Sequence, residues 1–122
     1  MSKRVMIVDD EPNIVLSLEF ILQQSGFEVR SAGDGDAALA LVESFKPDLV
    51  LLDVMMPVKD GYEVCQRIKG APAFGHIKVV MLSAKGRDVD RVKGMEMGCD
   101  AYITKPFSTR ELVDKVRQLL GE

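Results

Sequence analysis

Apolar residues along this chain fall into two alternating patterns. Short, near-continuous runs occupy 4–8 (RVMIV), 27–32 (FEVRSA), 48–53 (DLVLLD), 78–83 (KVVMLS) and 101–104 (AYIT). A strand with one wet face alternates apolar and polar residues, so runs without alternation indicate strands covered on both faces. Between them the apolar residues recur at helical spacing. One set is Ile14, Leu18, Ile21 and Leu22, and a second is Ala37, Ala38, Leu41 and Val42. A third is Gly61, Val64, Cys65 and Ile68, and the last is Leu112, Val116, Leu119 and Leu120. The segment 87–97 is the weakest helix. Val89, Val92 and Met95 form a thin stripe there, and Gly94 interrupts it at a cost of about 1 kcal/mol relative to Ala. Such a helix is expected to shift cheaply.

Local signals agree with these elements. Pro12 suits a first helical turn, where its missing N–H costs nothing. Asp60 with Glu63, and Ser108 with Glu111, have capping-box spacing, and Phe107 with Leu112 is placed to staple the second cap. Five strands alternating with five helices predict an α/β fold: an open, doubly wound parallel sheet with helices on both faces.

Composition narrows the classes. A chain of 122 residues fits one compact domain, 1–122, and 47% hydrophobic with 29% charged residues reads as globular and soluble rather than disordered. The 16 basic residues are spread against 19 acidic ones for a net charge of −3, with no basic run, which gives no support for direct nucleic-acid binding. Two cysteines are too few for a disulfide scaffold. No signal-peptide core and no apolar stretch of ~20 residues is present, so no membrane insertion is expected. A cytoplasmic setting with free thiols follows as the expectation.

The chemistry collects where the strands end. VMIV runs into Asp9 and Asp10, DLVLL into Asp53, VVML into Ser83, and AYIT into Lys105 and Pro106. In an open parallel sheet these carboxyl ends share the edge where ligands bind. Only the strand ending RSAG brings no candidate, as suits an edge strand. Three carboxylates in one place must hold a proton or bind a cation. All-oxygen ligands with room for water suit Mg²⁺, with Mn²⁺ as a substitute. A site that adds a lysine and a hydroxyl can neutralise a transferring phosphoryl group, and a carboxylate there can accept it as an acyl phosphate.

These features, in order, resemble the response-regulator receiver domains of two-component signalling: DD at 9–10, LLDVMMPVKDG at 51–61, LSA at 82–84 and KPF at 105–107. The resemblance covers the chain from end to end. It implies a flavodoxin-like strand order 2-1-3-4-5 and makes Asp53 the phosphate acceptor. Asp10, Asp53 and the backbone carbonyl of Met55 would ligate Mg²⁺, with Asp9 acting through a coordinated water. Ser83 would bond a phosphoryl oxygen, Lys105 would pair with the phosphoryl group, and the Lys105–Pro106 bond would be cis. Tyr102 matches the family's switch aromatic, which moves with Ser83; Met55 and Lys85 occupy positions that tune dephosphorylation. The implied donor is a sensor histidine kinase or a histidine phosphotransfer protein, docking on the exposed side of the first helix. The implied output is a changed affinity of the 87–120 face for a downstream protein. The sequence carries no DNA-binding or catalytic output segment, so a stand-alone receiver and a receiver from a longer protein are both expected.

Blander roles compete for each residue. An acid near a helix start is favoured by the dipole, but that needs one acid and not Asp53 as well. Ser83 has an ordinary alternative as a loop hydroxyl, Lys105 as a surface lysine, and Tyr102 as plain packing. Cys65 lies on an apolar stripe and reads as a core thiol, Cys99 as a small buried residue, and His76 as a surface loop residue. Two other functions share part of the chemistry. A Mg²⁺-dependent phosphatase or phosphotransferase would carry Asp-x-Asp after its strand, whereas 53–55 reads Asp-Val-Met. A flavodoxin-like cofactor binder would carry a Ser/Thr/Gly phosphate loop where this chain has the anionic DDEPN.

Overall fold

The computed structural model describes residues 3–54, 60–83 and 88–121, with backbone only for 88–91. Strands and helices alternate throughout. They are β1 (Arg4–Val8), α1 (Pro12–Gln24), β2 (Glu28–Ala32), α2 (Gly35–Phe45), β3 (Leu49–Asp53), α3 (Gly61–Gly70), β4 (Lys78–Ser83), α4 (Asp88–Glu96), β5 (Ala101–Thr104) and α5 (Thr109–Leu119). The strands form one parallel sheet in the order β2-β1-β3-β4-β5, which makes β2 an edge and β3 central. Phe27 and Asp48, taken from sequence as strand starts, lie one residue before β2 and β3.

The near-continuous apolar runs are buried on both faces. Met6, Val8, Val50, Leu52, Val79 and Met81 pack towards α2 and α3, through Ala38, Val42, Val64 and Ile68. Their neighbours Val5, Ile7, Leu49, Leu51, Val80 and Leu82 pack towards α1 and α5, through Leu18, Leu22, Leu112 and Val116. The period of two along each strand thus feeds two cores. The expected caps are present: Asp60 accepts from the Glu63 N–H at 3.0 Å and Ser108 from the Glu111 N–H at 3.0 Å. Phe107 and Leu112 join the same apolar cluster, as a staple requires. Among the described residues no helix is long and apolar enough to cross a membrane.

The outcome at α4 differs from the sequence expectation. Val92 and Met95 face solvent, at 54% and 57% exposure, and it is Gly94 that turns inward. A Cβ on Gly94 would lie 3.0 Å from Cδ2 of Tyr102 and 3.3 Å from Cys99 Sγ. The glycine is therefore a seat for the Tyr102 ring rather than a gap in an apolar stripe.

Cys65 and Cys99 are free and buried. Burial pushes the Cys65 thiol from 9.0 up to about 12, with help from Cys99, and pushes Cys99 up to about 11, with help from Asp100. Well below pH 9 the folded and unfolded chains both keep these protons. Above it the unfolded chain loses them first, so stability falls as pH climbs towards 11–12, by up to about 1.4 kcal/mol per pH unit for each thiol. Urea midpoints taken between pH 8.5 and 10.5 should fall less steeply in Cys65→Ala than in the parent. Parallel slopes would contradict this account.

Candidate functional site

The carboxyl ends of four strands deliver the site. Beyond β1, the Asp9 N–H still donates to the Ala32 carbonyl at 3.2 Å, which holds the chain to the sheet for one more residue. Asp9 is 3% exposed, and its Oδ1 accepts from the Glu11 N–H at 2.9 Å. That bond serves the start of α1, where Glu11 makes no side-chain cap and Pro12 has no N–H to satisfy. Asp10 is exposed. Asp53 closes β3 at 5% exposure, and Ser83 closes β4 fully buried. The Lys105 N–H donates to the Ser83 carbonyl at 2.7 Å, and the Lys105–Pro106 bond is cis. The Lys105 ammonium reaches back to Asp9 Oδ2 and Asp53 Oδ1, each at 3.4 Å.

Carboxylate oxygens of Asp9, Asp10 and Asp53 all lie within 4.8 Å of one another. Together with the Lys105 ammonium they carry a formal charge of −2, two of the acids being buried. A divalent cation balances that charge. An octahedral ion bound at ~2.0–2.1 Å sets its ligand oxygens roughly 3–4 Å apart, a spacing that small side-chain adjustments reach from here. The donors are all oxygen and one carboxylate is open to water, so the site fits a hard divalent metal. The Met55 carbonyl falls outside the described residues, as does Lys85.

The model for the response regulator receiver domain matches residues 5–117. This chain belongs to that family. The receiver is 44% identical over 120 residues to the alkaline phosphatase synthesis transcriptional regulatory protein PhoP of Bacillus subtilis. That match takes in 98% of this chain and 49% of PhoP, so the chain spans about half the length of that relative. Among solved structures it resembles the receiver domain of a signal transduction histidine kinase from Syntrophus aciditrophicus. There the TM-score is 0.92 at 33% identity, covering 98% of this chain and 91% of the other. It also resembles the BeF₃-activated N-terminal receiver domain of Klebsiella pneumoniae RstA. That TM-score is 0.91 at 29% identity, covering 98% and 100% of the two chains. Family membership sets aside the flavodoxin-like and phosphatase readings of the same acids.

The receiver's remaining candidates divide clearly. Tyr102 is half-buried on β5, opposite Met81 of β4 and two residues before Thr104, which pairs with Ser83. His76 is exposed and stands apart from the acids, while Cys65 and Cys99 belong to the core. Three further residues escaped sequence reasoning. Thr104 joins the site edge through its register with Ser83, a signal that pairing alone supplies. Gly61 is pressed against the end of β3: a Cβ there would lie 2.3 Å from the Asp53 carbonyl oxygen and 2.8 Å from Val54 Cα. Lys93 of α4 lies over the ring of Tyr62 at 4.5 Å from its centroid.

Proposed function

We propose that this receiver takes a phosphoryl group from a phosphohistidine donor onto Asp53 in a Mg²⁺-dependent reaction and so alters partner binding at the face spanning 87–120. The observation that carries the proposal is the convergence of three acids, Ser83 and Lys105 at one sheet edge. Asp9 has Oδ1 on the Glu11 N–H and Oδ2 on Lys105, and Asp10 faces solvent. Asp53 ends the central strand with Lys105 beside it, which suits it as the nucleophile. Its carboxylate oxygen forms a bond to phosphorus as the P–N bond of the donor breaks, and the imidazole leaves with the electron pair. Lys105 then neutralises a phosphoryl oxygen, and Ser83 donates its hydroxyl to another. Asp10 and Asp53, with Asp9 through water and the Met55 carbonyl, would hold Mg²⁺, which supplies added charge neutralisation to the phosphoryl oxygens. Movement of Ser83 towards phosphate would draw Tyr102 with it and change the face that α4, β5 and α5 present.

Partner and setting follow as further parts of the proposal. The donor is a histidine kinase or phosphotransfer protein in the cytoplasm. Leu16 and Phe20 of α1 stand 66% and 62% exposed. Other residues of the same helix, Ile14, Leu18 and Ile21, line an apolar groove of about 250 Å³ together with Phe107. An apolar donor helix fits such a surface. Met55 and Lys85 would tune the phosphoryl lifetime.

Incubation with Mg²⁺ and acetyl phosphate tests the reaction without a kinase. Intact mass should rise by one phosphate, borohydride reduction should map it to Asp53, and EDTA should prevent it. Uptake that ignores EDTA, or maps elsewhere, would refute the proposal.

A further inference from the structure

The attachment of α4 is unusual because two large apolar residues are exposed on it and its inward face carries a glycine. Val92 and Met95 point outward, and Gly94 rests on the Tyr102 ring. The residue between them reaches the other way. Lys93 lies across the α3 interface with Nζ 4.5 Å from the centroid of the Tyr62 ring, well inside cation–π range. Tyr62 is 7% exposed in the first turn of α3. It directly follows Gly61, whose N–H donates to the Val54 carbonyl at 2.9 Å and whose α-carbon leaves no room against the Asp53 carbonyl. A continuous set of close contacts therefore runs from the backbone of Asp53 through Gly61 and Tyr62 to Lys93, and Gly94 continues it to Tyr102.

We propose that the Lys93–Tyr62 contact is a latch tying α4 to the acceptor strand, so that Lys93 helps set how readily Asp53 takes a phosphoryl group. The inference rests on the function proposed above, in which the face containing α4 rearranges. A contact made in one arrangement favours that arrangement by its own free energy, and by linkage it opposes any ligand that favours another. An exposed cation–π contact corresponds to about a two- to fivefold change in an equilibrium constant. Lys93 is thus a positioning residue. It acts through Tyr62 and touches no reacting group.

The test titrates beryllium trifluoride in the presence of Mg²⁺ by ¹⁹F NMR, alongside amide exchange at residues 92–96. Lys93→Met keeps the aliphatic stem and removes the charge. It should bind the phosphoryl analogue about two- to fivefold more tightly and speed exchange in α4, while Lys93→Arg should match the parent in both. A contact that only contributes stability would lower the melting temperature and leave analogue affinity unchanged. Unchanged or weaker affinity in Lys93→Met, or Lys93→Arg behaving like Lys93→Met, overturns the latch alone. A parent protein that takes neither beryllium trifluoride nor phosphate overturns the receiver chemistry and the latch with it.

Discussion

Replacing Asp53 with asparagine should give a folded protein that takes up no phosphate, below about 1% of the parent signal after acetyl phosphate and Mg²⁺. The amide nearly matches the carboxylate in shape and keeps an oxygen towards Lys105, but it cannot form the acyl phosphate. The same change removes one of three clustered acids, so the formal charge with Lys105 falls from −2 to −1. Divalent-cation affinity should then weaken by roughly tenfold, in line with the loss of one charged ligand. Stabilisation by Mg²⁺ reports this separately from chemistry. At a concentration 100 times the parent Kd the parent gains about 2.7 kcal/mol, and a variant binding tenfold more weakly gains about 1.4 kcal/mol. Without divalent metal, Asp53→Asn should melt no lower than the parent, because repulsion among buried carboxylates is relieved. A variant that still gains one phosphate would move the acceptor to another residue. One that keeps the full Mg²⁺ stabilisation would remove Asp53 from the metal site.

The acids were legible because the strands that deliver them are legible. A run such as VMIV or DLVLL can be satisfied only by burial on both faces, which fixes the sheet type, and the sheet type fixes where the strand ends meet. Asp9, Asp53, Ser83 and Lys105 needed no knowledge of the loops between them. The helices were legible wherever a cap and an apolar stripe agreed, as at Asp60 and Ser108. At α4 the stripe was thin, and two of its three residues, Val92 and Met95, face solvent, while the side chain of Val89 lies outside the described residues. The missing information was the Tyr102 ring, which fills the place an apolar side chain would otherwise take. Long-range pairs were equally silent. Nothing in the spacing of Tyr62 and Lys93 announces that one will lie over the other, because their meeting depends on how two crossovers pack. Gly61 was counted by helical periodicity as one more small residue on the stripe of α3. Its actual constraint comes from the backbone of a different element, and sequence has no direct way to express that.

That constraint should make Gly61→Ala strongly destabilising. The added methyl would sit 2.3 Å from the Asp53 carbonyl oxygen, 2.8 Å from Val54 Cα and 3.0 Å from the Asp53 carbonyl carbon. All three are backbone atoms of the chain leaving the central strand, so no side chain can swing aside. Either α3 slides outward, breaking the 2.9 Å bond from the Gly61 N–H to the Val54 carbonyl, or the end of β3 is displaced. Overpacking of this kind costs about 3 kcal/mol, which the lower chain entropy of unfolded alanine offsets by less than about 1 kcal/mol. The melting temperature should fall by roughly 10 °C, and phosphate uptake should fall with it, measured below the transition where the variant is still folded. Gly70 provides the control at the other end of the same helix. A Cβ there meets nothing within 4 Å. Gly70→Ala should therefore be neutral or stabilising by up to about 1 kcal/mol, with phosphate uptake intact. Similar melting temperatures for the two variants would show that α3 yields freely at its first residue. In that case Gly61 would not be what holds α3 against the end of β3.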